Sequence, residues 1–286
     1  PGDGTAWAVL NSAVGIGGNA YRTTDGGASW EMIYGTDYLG AVVPSPGYAS
    51  DRTLYLAGAG GVVLRSTDGG DNWAAVGAWP SGTYYPARLV ALPPNYPADG
   101  TIFAGGPEGF WRLSPGASTW APAASGLTSD MYITLIAVSP HYAADRTLLV
   151  TASGQETPAG PMHYGVFRST DGGQNWVLSS DGLPSAPLGG VAFSPHFIFD
   201  RMAYVTTEEV LYRSLDGGKR WTAVGAPPEG GALGDVVAQE DGDVYVATDA
   251  GVWRYTTGLR DAVANGGFEG EGGWTLPDTP VPPAYV

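Results

Sequence analysis

Carboxylates, histidines and arginines are the side chains of this sequence with types and spacing that could do chemistry. Glu208 and Glu209 are adjacent, and an acid pair is what glycoside hydrolysis uses, one carboxyl donating a proton while the other acts as base or nucleophile. Neighbours in a strand or hairpin point to opposite faces, so these two are not expected to oppose each other across a cleft. Asp241-Gly-Asp243 offers oxygen ligands of the kind that take Ca2+, although two acids around a glycine first describe a turn. Ca2+ is the only cofactor with even this weak support, and no metal site or other cofactor is expected. His141 and His196 sit in a repeated Ser-Pro-His turn, which favours folding roles, while His163 stands outside any repeat. One histidine alone makes neither a triad nor a metal site. Absence of cysteine removes disulfides, thiolate catalysis and cysteine-ligated metals together. No phosphate loop or dinucleotide fingerprint occurs, since the glycines belong to hairpins.

The elements that position these groups come from a repeat. Four segments nearly superimpose: Tyr21 to Trp30 (YRTTDGGASW), Leu64 to Trp73 (LRSTDGGDNW), Phe167 to Trp176 (FRSTDGGQNW) and Tyr212 to Trp221 (YRSLDGGKRW). A worn copy runs from Trp111 to Trp120, and Trp253-Arg-Tyr-Thr keeps only the beginning. The arginines at 22, 65, 112, 168, 213 and 254 step by 43, 47, 56, 45 and 41 residues. That period suits a four-stranded blade. In each turn Asp and the preceding Ser or Thr can accept backbone N–H bonds, and the paired glycines permit positive φ. Trp opens the next strand with a large packing surface.

A second element runs in phase: Ser45-Pro-Gly-Tyr-Ala-Ser-Asp51-Arg-Thr, Pro93 to Thr101, Ser139-Pro-His-Tyr-Ala-Ala-Asp145-Arg-Thr, and Ser194-Pro-His-Phe-Ile-Phe-Asp200-Arg-Met. Apolar β-rich runs flank each copy, so every unit reads as strand, Pro-containing turn, strand, Gly-rich turn, strand, Asp-Gly-Gly turn, strand. Second strands are expected near 5–10, 53–57, 101–105, 147–152, 202–206 and 243–247, and first strands near 39–44, 87–92, 133–138, 189–193 and 234–238. The first unit then lacks an inner strand and the sixth an outer one. Open edges of that kind are normally covered or paired.

The repeated turn resembles the Asp-box, or BNR, repeat of sialidases, sortilin-type receptors, xyloglucanases, photosystem-assembly factors and bacterial extracellular proteins. The likeness covers residues 1–256 and rests on Asp25, Trp30, Asp68, Trp73, Asp171, Trp176, Asp216 and Trp221. It implies an all-β propeller of six four-stranded blades over residues 1–258, with five and seven blades as the alternatives, and structural rather than catalytic boxes. Residues 259–286 read as a linker, and Asn265 to Asp278 also resembles the opening strand of a jelly-roll-like domain, there truncated. Sialidase-like sites need three arginines around a carboxylate. Nine of the twelve arginines here occupy repeat positions, leaving Arg88, Arg220 and Arg260. Xyloglucanase-like hydrolysis implies opposed carboxylates, usually between two propellers, and one propeller is present.

Composition narrows the classes further. Among 286 residues, 45 glycines, 23 prolines and 43% hydrophobic content describe a turn-rich folded β protein. A net charge of −15 with Lys219 as the single lysine excludes a nucleic-acid footprint and a polybasic membrane patch. No apolar run is long enough to span a bilayer. The absence of cysteine suits a cytoplasmic or a bacterial extracellular protein alike, and a start at Pro1 without Met or signal peptide suits a processed or partial product.

Blade geometry places second-to-third and fourth-to-first connections on one face. That variable face gathers Asp37, Tyr38, Trp79, Tyr84, Tyr85, Glu108, Asp130, Tyr132, Glu156, His163 and Glu208. Aromatics beside carboxylates suit a carbohydrate or a peptide. The expectation is therefore a secreted or cell-surface propeller with no catalytic residue, binding carbohydrate or protein or serving assembly. A structural subunit of a surface layer or filament, self-associating by strand or tail exchange, is the second reading. A glycoside hydrolase is the third.

Overall fold

The computed structural model describes residues 4–11, 17–36, 38–58, 61–83, 87–123, 125–127, 131–155, 162–228, 230–256 and 273–275. They form six antiparallel sheets, each an up-and-down meander in chain order. Sheet one holds β1 (Ala6–Asn11), β2 (Gly18–Thr23) and β3 (Glu31–Thr36). Sheet two follows with β4 (Leu39–Pro44), the helical turn α1 (Tyr48–Asp51), β5 (Leu54–Gly58), β6 (Val63–Ser66) and β7 (Ala74–Ala75). Sheet three comprises β8 (Leu89–Ala91), β9 (Ile102–Gly106), β10 (Gly109–Leu113) and β11 (Ala121–Pro122). The fourth sheet is β12 (Tyr132–Val138), α2 (Tyr142–Asp145), β13 (Leu148–Gln155), β14 (Met162–Ser169) and β15 (Val177–Leu178). Sheet five runs β16 (Leu188–Phe193), α3 (Phe197–Asp200), β17 (Ala203–Thr207), β18 (Leu211–Ser214) and β19 (Thr222–Gly225). Sheet six is β20 (Leu233–Ala238), β21 (Asp243–Thr248), β22 (Gly251–Thr256) and β23 (Gly273–Thr275).

First and second strands lie where the repeat places them, and sheet one has three strands. The outer strand that the sixth repeat lacks is supplied by β23, whose Gly273, Trp274 and Thr275 pair with Thr256, Tyr255 and Arg254. These three residues belong to the stretch likened to a jelly-roll strand, and the rest of 259–286 lies outside the described residues.

Each Asp-Gly-Gly turn closes on itself. Ser214 Oγ donates to Asp216 Oδ1 at 2.8 Å and accepts from the Gly218 amide at 2.8 Å, while the Lys219 and Arg220 amides both reach Asp216 Oδ1 at 3.0 Å. Asp68 is held the same way by Ser66 Oγ and by the amides of Asp71 and Asn72. In the first repeat Thr23 Oγ1 and both the amide and hydroxyl of Ser29 bind Asp25. Asp171 accepts from Ser169 Oγ at 2.8 Å. These bonds favour the ionised carboxyl. Those from Ser29 and Thr23 pull Asp25 down to about 2, and those from Ser66 and Asn72 hold Asp68 lower still. At Asp216 burial pushes upward most strongly, yet the Arg220, Ser214 and Lys219 donors together keep the group below its ordinary value.

The Ser-Pro turn folds as a single helical turn. Ser45, Ser139 and Ser194 hydroxyls donate to Asp51, Asp145 and Asp200 at 2.6, 2.7 and 2.5 Å. The following arginines take the left-handed conformation, φ 51° at Arg52 and Arg146 and 56° at Arg201. There each guanidinium covers the ring of Tyr48, Tyr142 or Phe197 at 5.0, 5.0 and 5.7 Å, an attraction worth about 0.5–1 kcal/mol that offsets the backbone cost. The amides of Gly69, Gly172 and Gly217 donate to the carbonyls of Arg52, Arg146 and Arg201. The two repeated turns are thereby joined at one end of their sheet, which leaves the other end to the variable loops.

The chain divides into two compact units, Pro1–Ile136 with Gly173–Trp176, and Ala137–Gly172 with Val177–Val286. In the first, cores lie between successive sheets: Ala20, Leu39 and Leu56 with Ile33, Leu64 and Trp73, then Tyr55, Val63, Val90, Ala104, Trp111 and Trp120. Trp73 donates its indole N–H to Ile33 O at 3.2 Å and to Gly70 O at 2.9 Å, and Trp120 donates to Val76 O at 2.8 Å. The Trp120 and Trp176 amides bond the carbonyls of Ala78 and Ser125. Gly126 permits that second crossing, because a Cβ there would lie 1.8 Å from Trp176 O.

In the second unit, Met202, Tyr204 and Leu211 of sheet five pack on Leu233, Val236, Val244, Val246 and Tyr255 of sheet six. The Trp221 indole reaches Ser179 O at 2.7 Å and its amide reaches Asp181 O at 2.8 Å. First strands of sheets five and six approach at backbone distance, a Cβ on Gly190 falling 2.7 Å from Val236 N.

Candidate functional site: a cleft on the variable loops of the second unit

Two connections of the variable set bound a cleft of about 340 Å3 in the second unit. The link between β15 and β16 contributes Pro184, Ala186 and Pro187, and the link between β17 and β18 contributes Thr207, Glu208, Glu209 and Val210, with Tyr212 beyond. Thr207 shapes the second link. Its amide donates to Val210 O at 3.0 Å, and its Oγ1 accepts from the Val210 amide at 3.1 Å. This tight turn carries both glutamates on its tip, exposed. The alternation that sends adjacent strand residues to opposite faces does not govern a turn, and both Glu208 and Glu209 border the cleft.

Sheet six is fastened to this turn. The Leu233 amide donates to Glu208 O at 2.8 Å, and Thr206 Oγ1 donates to Gly234 O at 2.6 Å. The next residue of β20 is Asp235, whose carboxyl is raised above the ordinary range by burial, while the Val236 amide at 2.9 Å pulls the other way. The residue as a whole is exposed, so solvent tempers that rise. Burial favours the neutral acid, which is the form that can donate a proton. Sequence reasoning missed Asp235. Its signal is a break in the repeat, since Ala41, Leu89 and Gly190 hold the equivalent place in β4, β8 and β16.

The other expected loop residues are spread over the chain. Tyr38 lies under the Arg88 guanidinium at 4.6 Å. Trp79 stacks on Trp120 at 4.7 Å and 6° and packs on the first unit's core. Glu108 is half-buried on the turn between β9 and β10, and Tyr132 is half-buried at the start of β12. His163 is exposed on β14, across from Gly154. Asp37, Tyr84, Tyr85, Asp130 and Glu156 lie outside the described residues. His141 meets the Phe199 ring edge-on at 6.4 Å, and His196 Nε2 lies 3.0 Å from Glu240 O. Of the arginines outside the repeat, Arg220 pairs with Asp181 at 2.8 Å and Arg260 lies outside the described residues. Asp241 Oδ1 accepts the Asp243 amide at 3.0 Å, closing a turn. Among the described residues no three His, Asp or Glu cluster to hold a metal ion, and no helix is long and apolar enough to cross a membrane.

No family model matches the chain. A stretch of 122 residues is 27% identical to vacuolar protein sorting/targeting protein 10 of Schizosaccharomyces pombe, covering 38% of this chain and 8% of that protein. In fold the chain is similar to the GH74 xyloglucanase of Xanthomonas campestris, with TM-score 0.64 and 18% identity over 88% of this chain and 42% of that one. It is also similar to the α-L-arabinanase of Penicillium chrysogenum complexed with arabinobiose, at TM-score 0.50 and 14% identity over 85% of both chains. A third likeness is to YCF48 bound to D1 peptide, at TM-score 0.54 and 16% identity over 87% of this chain and 74% of that one. The chain thus spans less than half the length of the relative and the xyloglucanase it matches. These likenesses place the fold among propeller proteins.

They also correct the expectation of a non-catalytic module, because glycoside hydrolases stand prominently among the fold's neighbours. The physical reason lies in the turn: strand alternation would send Glu208 and Glu209 to opposite faces, whereas the turn lets both border the cleft. Glu208, Glu209 and Asp235 are acids that the repeat does not use.

Proposed function

We propose that this chain is an Asp-box propeller unit of a glycan-acting protein of the glycoside hydrolase kind, its six sheets being six blades. The cleft between Pro184–Pro187 and Thr207–Tyr212 takes a stretch of polysaccharide. Pro184, Pro187 and Tyr212 offer apolar faces on which sugar rings stack, and Glu208 and Glu209 accept hydroxyl hydrogen bonds. Glu208 and Glu209 are the carboxylates of the cleft, and Asp235, on the strand fastened to their turn, is offered as the acid because burial raises its carboxyl. The observation that carries this reading is a two-glutamate cleft on the variable loops of a fold shared with a xyloglucanase and an arabinanase. Such polysaccharides lie outside the cell, so the protein acts there.

The test is affinity electrophoresis through gels containing xyloglucan or arabinan, with reducing-sugar release measured in parallel. Retardation that disappears in Tyr212→Ala, and sugar release that disappears in Asp235→Asn, are expected. A chain that neither slows in any polysaccharide gel nor releases sugar sinks the reading.

Capture of a cationic peptide in the same cleft is a second reading, favoured by the net charge of −15 and by the likeness to YCF48 bound to D1 peptide. Titration calorimetry with Lys/Arg-rich and Asp/Glu-rich peptides separates the two, since this reading requires heat from the basic peptide alone.

A further inference from the structure

Sheet five departs from the other full repeats at positions that face solvent in all of them. In its Asp-Gly-Gly turn Leu215 stands where Thr24, Thr67 and Thr170 do, and Lys219 where Ala28, Asp71 and Gln174 do. Arg220 takes the place of Ser29, Asn72 and Asn175, and in the Ser-Pro turn Phe199 takes that of Ser50 and Ala144. Every one of these residues is exposed. The turn does not call for the change, because Asp216 receives the amides of Lys219 and Arg220 just as Asp68 receives those of Asp71 and Asn72. Yet Phe199 is 85% exposed and Leu215 61%. Apolar side chains set out in water with no folding duty mark a contact surface.

The four side chains share one tip. The Gly217 amide donates to Arg201 O at 2.9 Å and Ala203 pairs with Ser214, so the two turns lie side by side at one end of sheet five. His141 of sheet four meets Phe199 edge-on and extends the tip. Lys219 is the single lysine of a chain with net charge −15, and with Arg220 it makes the one pair of adjacent cations in the sequence. Arg220 is held by Asp181 at 2.8 Å, with a side chain still 74% exposed. The opposite end of the same sheet has the complementary surface, the cleft walled by Pro184, Pro187 and Tyr212 and bordered by Glu208 and Glu209. Tip and cleft both belong to the second unit.

We infer that the sheet-five tip of one copy of this chain docks in the sheet-five cleft of a second copy. Phe199 and Leu215 meet the proline and tyrosine walls, and Lys219 and Arg220 face Glu208 and Glu209. Charge complementarity selects the occupant, since an acidic cleft repels most of the surface of an acidic chain and attracts its one cation pair. The two patches differ, so each copy gives a tip and receives one, and the contact propagates into rings or filaments. Docking uses the cleft but needs no glycan in it, so it stands or falls apart from the reading above.

Sedimentation across a concentration series is the test. Mean mass should rise with concentration, and rise less in high salt. Phe199→Ser, which installs the residue sheet two carries at that place, should weaken association about tenfold or more. Charge exchange then identifies the surfaces. Lys219→Glu/Arg220→Glu and Glu208→Lys/Glu209→Lys should each stay monomeric alone, because tip and cleft then carry like charge. Mixed, they should associate again, each tip finding a cleft of opposite sign. A wild-type chain that is monomeric at every concentration overturns the inference, as does a mixture of the two exchanged variants that fails to associate. Gel retardation of Phe199→Ser by polysaccharide is measured alongside, so a failure of docking is read separately from a failure of glycan binding.

Discussion

Two tryptophans of the first unit provide a controlled experiment on what the repeat contributes to stability. Trp30 and Trp120 occupy the same place in their repeats and belong to the same compact unit, yet they are 43% and 1% exposed. The difference is roughly two fifths of a tryptophan surface, on the order of 100 Å2, or about 2.5 kcal/mol at 25 cal/mol per Å2. Trp120 also donates to Val76 O at 2.8 Å and stacks on Trp79 at 4.7 Å. Loss of these adds about 1 kcal/mol each. Trp120→Ala is therefore expected to destabilise by about 4 kcal/mol more than Trp30→Ala. Urea unfolding followed by far-ultraviolet circular dichroism measures both. Because both residues lie in one unit, the same transition reports them. Losses that agree to within about 1 kcal/mol would refute the argument that these tryptophans act through the sheet before them.

The buried hydroxyl of Ser214 serves both the Gly218 amide and Asp216, so Ser214→Ala should cost about 1–3 kcal/mol by calorimetry. The folded carboxyl of Asp235 is raised, so the native state holds a proton that the unfolded chain gives up, and stability falls as pH climbs above the unfolded value of 3.8. Asp235→Asn should then raise the melting temperature at neutral pH and leave it nearly unchanged at pH 3, which a pH series of melts decides. In any hydrolysis assay the same substitution should cost about 100-fold or more. Asp25 is lowered to about 2, so the contribution of its turn is full above pH 3.8 and fades as pH falls toward 2. Following the Ser29 amide by NMR in acid should reveal that midpoint, and an ordinary carboxylate midpoint would contradict it. Arg201→Gly should be nearly neutral, since relief of the left-handed backbone offsets the lost ring contact, whereas Arg201→Ala should destabilise by about 1 kcal/mol in urea.

The strand plan was legible because four of the second strands follow a threonine, at 5, 53, 101 and 147, with a run of apolar side chains, as in Thr53-Leu-Tyr-Leu-Ala. The Asp turn was legible for the same kind of reason, its bonds running between residues no more than four apart. What escaped is non-local. Three residues at 273–275 pair with β22 across a long stretch whose composition reads as a linker. The Ser-Pro turn winds into a helical turn because Ser and Asp six residues apart close on each other, as Ser139 and Asp145 do. The cleft itself depends on a turn that frees Glu208 and Glu209 from strand alternation. Asp235 was hidden by being a single acid among 28, and only the register against β4, β8 and β16 shows that it stands on a place otherwise filled by apolar or small residues.

The direction of the tryptophan latch has a mechanical consequence. Within each unit the indole of a later sheet binds the earlier one, at Trp73 and Trp120 in the first and Trp221 in the second. Peeling away sheet three or sheet five withdraws a tryptophan and leaves its predecessor with only a vacated carbonyl, which water can solvate. Peeling away sheet two or sheet four instead strands the tryptophan of its successor, with a bared indole ring and an unmet donor. Fraying in the two directions is therefore unequal, and a protease or a pulling force working on the later sheet of either pair meets the lower resistance.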